Sequence, residues 1–337
     1  EVPRLLGAWD EPATRGLLEE VGLDAGRKPS LAGLHFVQID EFYPINPLHH
    51  NSFAFYVRRF YLEGLGLDPE RALLIECDRI GLPQGATLEQ VWSEDQVDLS
   101  LRRRHARDAG ERVQQSVLER VDQWCDEYEE KIRALGGIGF FLGGIGPDGH
   151  IGFNIRGSSL QSTTRLAATN YETQAAAALD LGGIEVARGR HVITIGLGTI
   201  TYNPRCVAII LAAGEAKKAI VAGSLTSRPD VRYPASVLQR LPRARFYLTH
   251  GAAADLASRR CAELARQEGI PEEASDRILV DLALKAGKPL PQLTDADLAG
   301  SPFGQLLLAR GVGGREGAAV ASRLQERLEA GMHTLAG

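Results

Sequence analysis

Five runs of apolar, β-prone residues punctuate this chain, at residues 34–39, 138–142, 191–195, 206–211 and 245–248, and polar or glycine-rich residues follow each of them. Each run has the length of a buried strand. Between them the apolar positions shift to helical spacing. Val117, Val121, Trp124, Tyr128, Ile132 and Leu135 mark one amphipathic helix that leads into the 138–142 run. Further helices are predicted over 5–9, 14–21, 53–61, 172–179 and 215–222, with Gly182 and Gly183 as a break. Alternation of this kind specifies an α/β fold with a doubly wound, mainly parallel sheet. Beyond Gly251 the pattern is helical only, over 256–264, 278–284 and 318–328, with Gly and Pro breaks between. The predicted organisation is an α/β domain over 1–250 and a helical C-terminal extension over 251–337. Residues 81–112, with Gly81, Pro83, Gly85 and many charges, read as a surface excursion.

With 44% hydrophobic and 24% charged residues, the chain has the balance of a globular protein and not of a disordered one. A formal net charge of −5 argues against a nucleic-acid partner. The run Arg102, Arg103, Arg104, His105 stands among Asp98, Asp108 and Glu111, so it reads as a solvated face. Cys77, Cys125, Cys206 and Cys261 lie far apart without a CxxC pair, which fits a reduced, cytoplasmic protein better than a disulfide scaffold or a zinc site. His49 and His50 are adjacent and lack a suitably spaced third ligand. No apolar run is long enough to span a bilayer and no signal peptide is visible, so no membrane association is expected. The first residue is Glu1 and not Met, and further chain upstream is expected.

The chemistry concentrates in IGFFLGGIGPDGHIGFN, residues 138–154. Five glycines between Gly143 and Gly152 follow the apolar run, with Pro147, Asp148 and His150 among them. Such a stretch cannot hold a helix, so the chain turns sharply and leaves N–H groups, a carboxylate and an imidazole in one place. Gly, Pro and Asp serve any tight turn equally well, so the loop gains weight only in company. Asp40 and Glu41 follow the first run, where open α/β sheets bind ligands, although a helix start or a plain turn explains an acidic pair too. Gly196–Ile200 follows the third run. Gly214, Lys217 and Lys218 follow the fourth, as an anion site at a helix N-terminus requires. A parallel sheet brings Asp40, His150, the Gly196 loop and Lys217 to one edge.

On these residues the chain resembles the glucosamine-6-phosphate deaminase family, which shares a superfamily with 6-phosphogluconolactonases. The similarity runs from Val37 to His250 and is carried by QIDEFYP (38–44), YEEKIRALGGIGFFLGGIGPDGHIGFN (128–154), TIGLGTI (194–200) and GEAK (214–217). The continuation Ile151-Gly152-Phe153-Asn154 resembles the deaminase branch; lactonases show a Thr-Ala-Ser type of continuation. The resemblance implies a Rossmann-like sugar-phosphate isomerase fold and conversion of glucosamine 6-phosphate and water to fructose 6-phosphate and ammonia. It implies that His150 moves the proton of the ring oxygen, that Asp148 orients the imidazole, and that Asp40 shuttles a proton between C2 and C1. Lys217 is implied as the phosphate contact. Backbone N–H groups of Gly144, Gly146, Gly149, Gly196 and Gly198 are implied to stabilise oxygen charge. Glu41, Asn154 and Thr199 are implied as further substrate contacts. No metal and no cofactor is implied, because the amine and carbonyl of the substrate do the electronic work.

The chain departs from the family pattern in three places. Ile155 stands where the family has a Glu that completes an acid–His–acid arrangement, so a second acid would have to come from Glu41 or elsewhere. By ungapped counting, Leu179 falls on a phosphate-binding arginine. The family's N-terminal phosphate loop is not found within residues 1–30. Since Val2–Trp9 resembles the family segment on the C-terminal side of that loop, the loop is expected upstream of Glu1. Arg165 falls where bacterial deaminases place a basic effector contact, and Ala167 occupies a second such position. Two alternatives therefore stand beside the deaminase: a 6-phosphogluconolactonase-type hydrolase with His150 as general base, and a sugar-phosphate-binding regulator without turnover. Exposed helical faces are compatible with a homo-oligomer.

Overall fold

The computed structural model describes residues 2–181, 187 and 190–335, and the chain divides into two compact units, residues 1–212 with 228–247, and residues 213–227 with 248–337. The break expected at Gly182 and Gly183 lies outside the described residues. In the first unit, α1 (Val2–Gly7) and α2 (Pro12–Glu20) precede three short strands, β1 (Phe36–Val37), β2 (Asp40–Tyr43) and β3 (Ala72–Leu73). The strand expected over 34–39 is thus shorter, and Asp40 and Glu41 lie within a strand of their own. Gln38 makes the join: its N–H donates to the Leu73 carbonyl (3.0 Å), its Oε1 accepts from Ile75 N–H (2.9 Å) and its Nε2 donates to the Asp40 carbonyl (2.9 Å).

Ser52 caps α3 (Phe53–Val57), which continues as a π-helical turn over Arg58–Glu63. The 81–112 stretch holds α4 (Leu88–Val91), started by a Thr87–Gln90 capping box. Its basic run is paired internally: Arg104 with Glu111 (2.6 Å) and Asp98 (2.7 Å), and Arg102 with Asp122. The helix read from apolar spacing is α5 (Ala109–Ala134), capped by the Asp108 carboxylate and burying Val117, Val121, Tyr128 and Ile132. Trp124 stacks on Tyr128, with ring centroids 4.9 Å apart. Leu135, expected on the buried face, follows the helix end and is exposed.

The remaining elements of this unit are β4 (Phe140–Gly144), β5 (Arg165–Ala168), α6 (Tyr171–Leu181), β6 (His191–Thr194), α7 (Leu197–Thr201), β7 (Val207–Ala212) and β8 (Arg245–Leu248). The fold is mixed α/β, with parallel pairs β1–β3 and β4–β7, and β8 beside β7. An antiparallel sheet, β2–β6–β5, stands beside them. Its centre is β6, whose Val192 and Ile193 are fully buried, each contributing about 1.5–3 kcal/mol by withdrawal from water. β5 is unexpected from the sequence, because Arg165–Ala168 holds no β-branched residue and pairing with β6 decides its conformation.

The second unit is helical: α8 (Lys218–Thr226), α9 (Ala254–Ala265), α10 (Glu272–Ala286), α11 (Asp295–Ala299), α12 (Pro302–Ala309) and α13 (Gly317–Leu335). Leu264, Leu279, Leu282, Leu298, Leu307 and Val320 form its core. The boundary differs from the expected one: residues 213–227, with Lys217, group with the C-terminal helices. Gly214 N–H donates to Thr249 Oγ1 (3.2 Å), and Lys218 pairs with Glu215 (2.9 Å) and Asp255 (4.0 Å). Among the described residues, no helix is long and apolar enough to cross a membrane.

Candidate active site

The loop after β4 is folded by its glycines. Gly146 N–H donates to the His150 carbonyl (2.9 Å) and Gly149 N–H to the Gly146 carbonyl (3.1 Å), so residues 146–150 close into a tight turn. Gly149 has φ +87° and Gly152 φ +56°, conformations that L side chains rarely adopt. The Gly149 carbonyl accepts from Ala235 N–H (3.0 Å), tying the turn to the chain that precedes β8.

Inside this turn Asp148 is buried to 1% exposure. Its Oδ1 lies 2.6 Å from His150 Nδ1, and its Oδ2 accepts from Arg156 N–H (3.0 Å) and Asn170 Nδ2 (2.6 Å). Burial opposes its charge, but the hydrogen bonds from His150, Arg156 and Asn170 outweigh it and hold the carboxyl well below the usual range. An ionised Asp148 places the imidazole proton on Nδ1 and leaves the Nε2 lone pair free to act as a base. The half-buried His150 ring stacks at 21° on Phe153, centroids 5.9 Å apart. Phe153 in turn lies 5.4 Å from Phe42 of β2.

Through Phe42 this stack reaches β2, the strand that carries Asp40. Side chains alternate along a strand, so Asp40 and Phe42 leave β2 on one face, the face on which Phe42 meets Phe153. Asp40 pairs across the sheet with Thr194, whose Oγ1 accepts the Phe153 N–H (3.1 Å). Gly152 packs on the same place: a Cβ there would stand 3.1 Å from Thr194 Oγ1 and 3.3 Å from Ile39 Cγ2. Burial, with the neighbouring Glu41 charge, pushes the Asp40 carboxyl up to about 8. Asp40 is thus held above and Asp148 below the usual carboxylate range.

Several expected substrate contacts have structural work in the fold. Glu41 is 0% exposed, and its carboxylate accepts from Ser52 Oγ (2.7 Å), Ala54 N–H (2.8 Å), Phe53 N–H (3.0 Å) and Phe42 N–H (3.0 Å). It anchors the start of α3. Burial still pushes its carboxyl up, against the pull of those bonds. Glu41→Gln is expected to cost about 1–3 kcal/mol of stability, because an amide faces donors it cannot accept from with both atoms. Chemical denaturation reads the loss.

Asn154 is also 0% exposed. Its Nδ2 donates to the carbonyls of Ile151 (3.0 Å) and Ile195 (2.8 Å) and its Oδ1 accepts from Arg165 (3.0 Å), so it rivets the loop to the end of β6. Thr199 is buried and donates to Glu129 Oε2 (2.6 Å), which also accepts from Thr164 Oγ1 (2.9 Å). Arg165 is half-buried and reaches Ser158 Oγ (3.2 Å) as well as Asn154, and burial lowers its guanidinium below the usual value.

The glycine N–H groups are likewise committed. Those of Gly146 and Gly149 close the turn, that of Gly196 donates to Thr199 Oγ1 (3.1 Å) and that of Gly198 to the Ser162 carbonyl (2.8 Å). The physical need at Gly196 and Gly198 is room: a Cβ at Gly196 would fall 1.9 Å from the Ser162 carbonyl oxygen, and one at Gly198 2.9 Å from the Gln161 carbonyl carbon. Gly144 lies in β4 opposite Leu211. Lys217 stands on the 3-10 turn Glu215–Lys217 of the second unit. Half-buried Ile155 contributes only backbone bonds, its N–H donating to the Phe153 carbonyl (3.0 Å). Leu179 lies on α6, its side chain outside the described residues.

Sequence reasoning misses Asn170, Thr173, Phe153 and Thr194. For Asn170 a signal is present: an Asn directly before a helix-favouring run is an N-cap pattern. Among the described residues, no cluster of three or more His, Cys, Asp or Glu is placed to hold a metal ion.

The chain is 32% identical over 203 residues to a glucosamine-6-phosphate deaminase of Corynebacterium kroppenstedtii, an alignment covering 58% of this chain and 74% of that relative. It is 41% identical over 137 residues to a glucosamine-6-phosphate deaminase of Corynebacterium urealyticum, covering 41% of this chain and 52% of the relative, so it spans about half of that protein's length. A solved structure of a monomeric glucosamine-6-phosphate deaminase, described as a missing link of the NagB superfamily, superposes with a TM-score of 0.51 and 22% identity over 74% of this chain and 83% of that one, and shares its fold. No family model matches the chain.

Proposed function

The chain belongs to the glucosamine-6-phosphate deaminase family, and from that premise we propose that it converts glucosamine 6-phosphate and water to fructose 6-phosphate and ammonia. The observation that supports the proposal is the Asp148–His150 pair, with Phe153 stacked on His150 and in contact with Phe42 of the strand that carries Asp40. His150, proton on Nδ1 and Nε2 free, exchanges the proton of the ring oxygen as the pyranose opens. Asp148 holds that tautomer and stabilises the imidazolium while it lasts. Asp40, as a carboxylate, takes the proton from C2 and returns it to C1, which turns the aldose into a ketose-level imine that water cleaves to ammonia and the keto sugar. Burial and the neighbouring Glu41 charge raise that carboxyl, which strengthens it as a base.

We assign the substrate's phosphate to cationic groups of the chain. The deaminase is favoured over the lactone hydrolase by one feature. Lactone hydrolysis needs a single general base, which the His150 pair supplies, and gives no work to a second carboxyl raised toward neutrality at Asp40.

The pH profile tests this reading. For the free enzyme Asp40 must be ionised to accept the C2 proton, and its carboxyl sits at about 8. Ammonia release measured as kcat/KM is therefore expected to rise about tenfold per pH unit below that value and to level off above it. A profile already flat between pH 5 and 8 would remove Asp40 from the proton-transfer step.

A further inference from the structure

We infer that Asn170 is a positioning residue for the Asp148–His150 pair. Residue 155, directly after the loop's Asn154, is an isoleucine and brings no polar group to the pair. The support reaches Asp148 from the far side. Asn170 stands at the start of α6, where its Oδ1 accepts the Thr173 N–H (2.9 Å) and its carbonyl accepts the Gln174 N–H (2.9 Å). That capping bond settles the orientation of the amide: the oxygen faces the helix N–H, so the NH2 faces Asp148 Oδ2, 2.6 Å away.

Every oxygen of Asp148 is then occupied. Oδ1 holds His150 Nδ1, and Oδ2 holds Asn170 Nδ2 and the Arg156 N–H. The Arg156 donor is backbone, which leaves Asn170 as the side-chain donor to Oδ2 among the described residues. One turn of helix further on, buried Thr173 places its Oγ1 3.4 Å from the same His150 nitrogen. The first turn of α6 thus grips both members of the pair. It fixes the carboxylate's rotation and keeps it charged, and through it fixes the imidazole's tautomer and tilt. An acid in place of Asn170 would set a like charge beside Asp148 and pull a proton into the site; the neutral amide positions the pair without that cost.

The kinetic arm of the test rests on the proposed deaminase activity, and a spectroscopic arm does not. Asn170→Ser keeps an N-cap oxygen for Thr173 N–H but cannot carry a donor to Asp148, so capping and positioning separate. In the uncomplexed protein, the far-downfield proton on His150 Nδ1, identified by its loss in His150→Gln, is expected to broaden or vanish in Asn170→Ser. With glucosamine 6-phosphate, kcat is expected to fall about ten- to a hundredfold with KM within about twofold, as for a small misplacement of a reacting group. Asn170→Asp, which caps as well as Asn, is expected to shift the low-pH limb of kcat upward and serves if the Ser variant does not fold. An unchanged downfield proton in both variants, or wild-type kcat in both, would overturn the inference. If the wild type releases no ammonia while the downfield proton still responds to Asn170→Ser, the activity is wrong and the positioning stands.

Discussion

Asp40→Asn is expected to lower kcat for ammonia release about 10²- to 10⁴-fold, the range for losing a positioned general base, with KM little changed. The change is isosteric, and the β2–β6 pairing that holds residue 40 opposite Thr194 is made by backbone. The variant is also expected to be more stable than the wild type in a defined window. In the unfolded chain the Asp40 carboxyl ionises near its ordinary 3.8, whereas in the fold it stays protonated until about 8. Between those values the folded state binds the extra proton, so wild-type stability falls as pH rises. Asparagine has no proton to lose. Its thermal midpoint should match the wild type near pH 4 and stand above it at pH 8, as differential scanning fluorimetry across that range would read. Equal midpoints at both ends would mean that the Asp40 carboxyl is not withheld from water.

Gly146→Ala is expected to inactivate the enzyme by displacing His150. A Cβ at residue 146 would stand 2.1 Å from His150 Cε1, 2.2 Å from Nε2 and 2.4 Å from Nδ1, well inside contact distance. The imidazole sits at the end of its side chain and swings away more cheaply than backbone shifts, so the fold survives. What is lost is the 2.6 Å bond to Asp148, which leaves a buried carboxylate short of a donor. The expected cost is about 1–3 kcal/mol of stability and about 10²-fold or more in kcat. In a His150→Ala background the same alanine has no ring to displace, and its effects on stability and activity should largely disappear. Gly144→Ala is the control, since a Cβ there meets only the Leu211 carbonyl at 3.8 Å. Full activity in Gly146→Ala would mean that the imidazole works from a different position.

The turn after the 138–142 strand is legible in the sequence because five glycines and a proline between Gly143 and Gly152 leave the chain no helix to form. The α/β class and the all-helical tail are legible too, since apolar periodicity reports both directly. The antiparallel sheet is not. Arg165–Ala168 has no intrinsic strand preference, and only the long-range partner His191–Thr194 makes it a strand. Glu41, Asn154 and Thr199 are ambiguous for a related reason: a polar residue beside a functional motif serves a substrate or a buried N–H equally well, and sequence does not say which way it faces. The glycine N–H groups show the same ambiguity. At Gly196 and Gly198 the residue type is demanded by backbone passing within 2.9 Å or less of where a Cβ would sit, and the N–H groups are spent inside the fold. Asn170 sits sixteen residues from the loop's end at Asn154, and only the fold of α6 brings it to Asp148.

The most direct test of the central claim is to incubate the protein with glucosamine 6-phosphate in deuterated water and to quantify ammonia, fructose 6-phosphate and deuterium at C1 of the sugar. Equal amounts of ammonia and fructose 6-phosphate are expected, with C1 carrying a mixture of the substrate's own C2 hydrogen and solvent deuterium, all of it abolished by Asp40→Asn. Undiminished release in Asp40→Asn, or no release from the wild type while 6-phosphogluconolactone is hydrolysed, would contradict it.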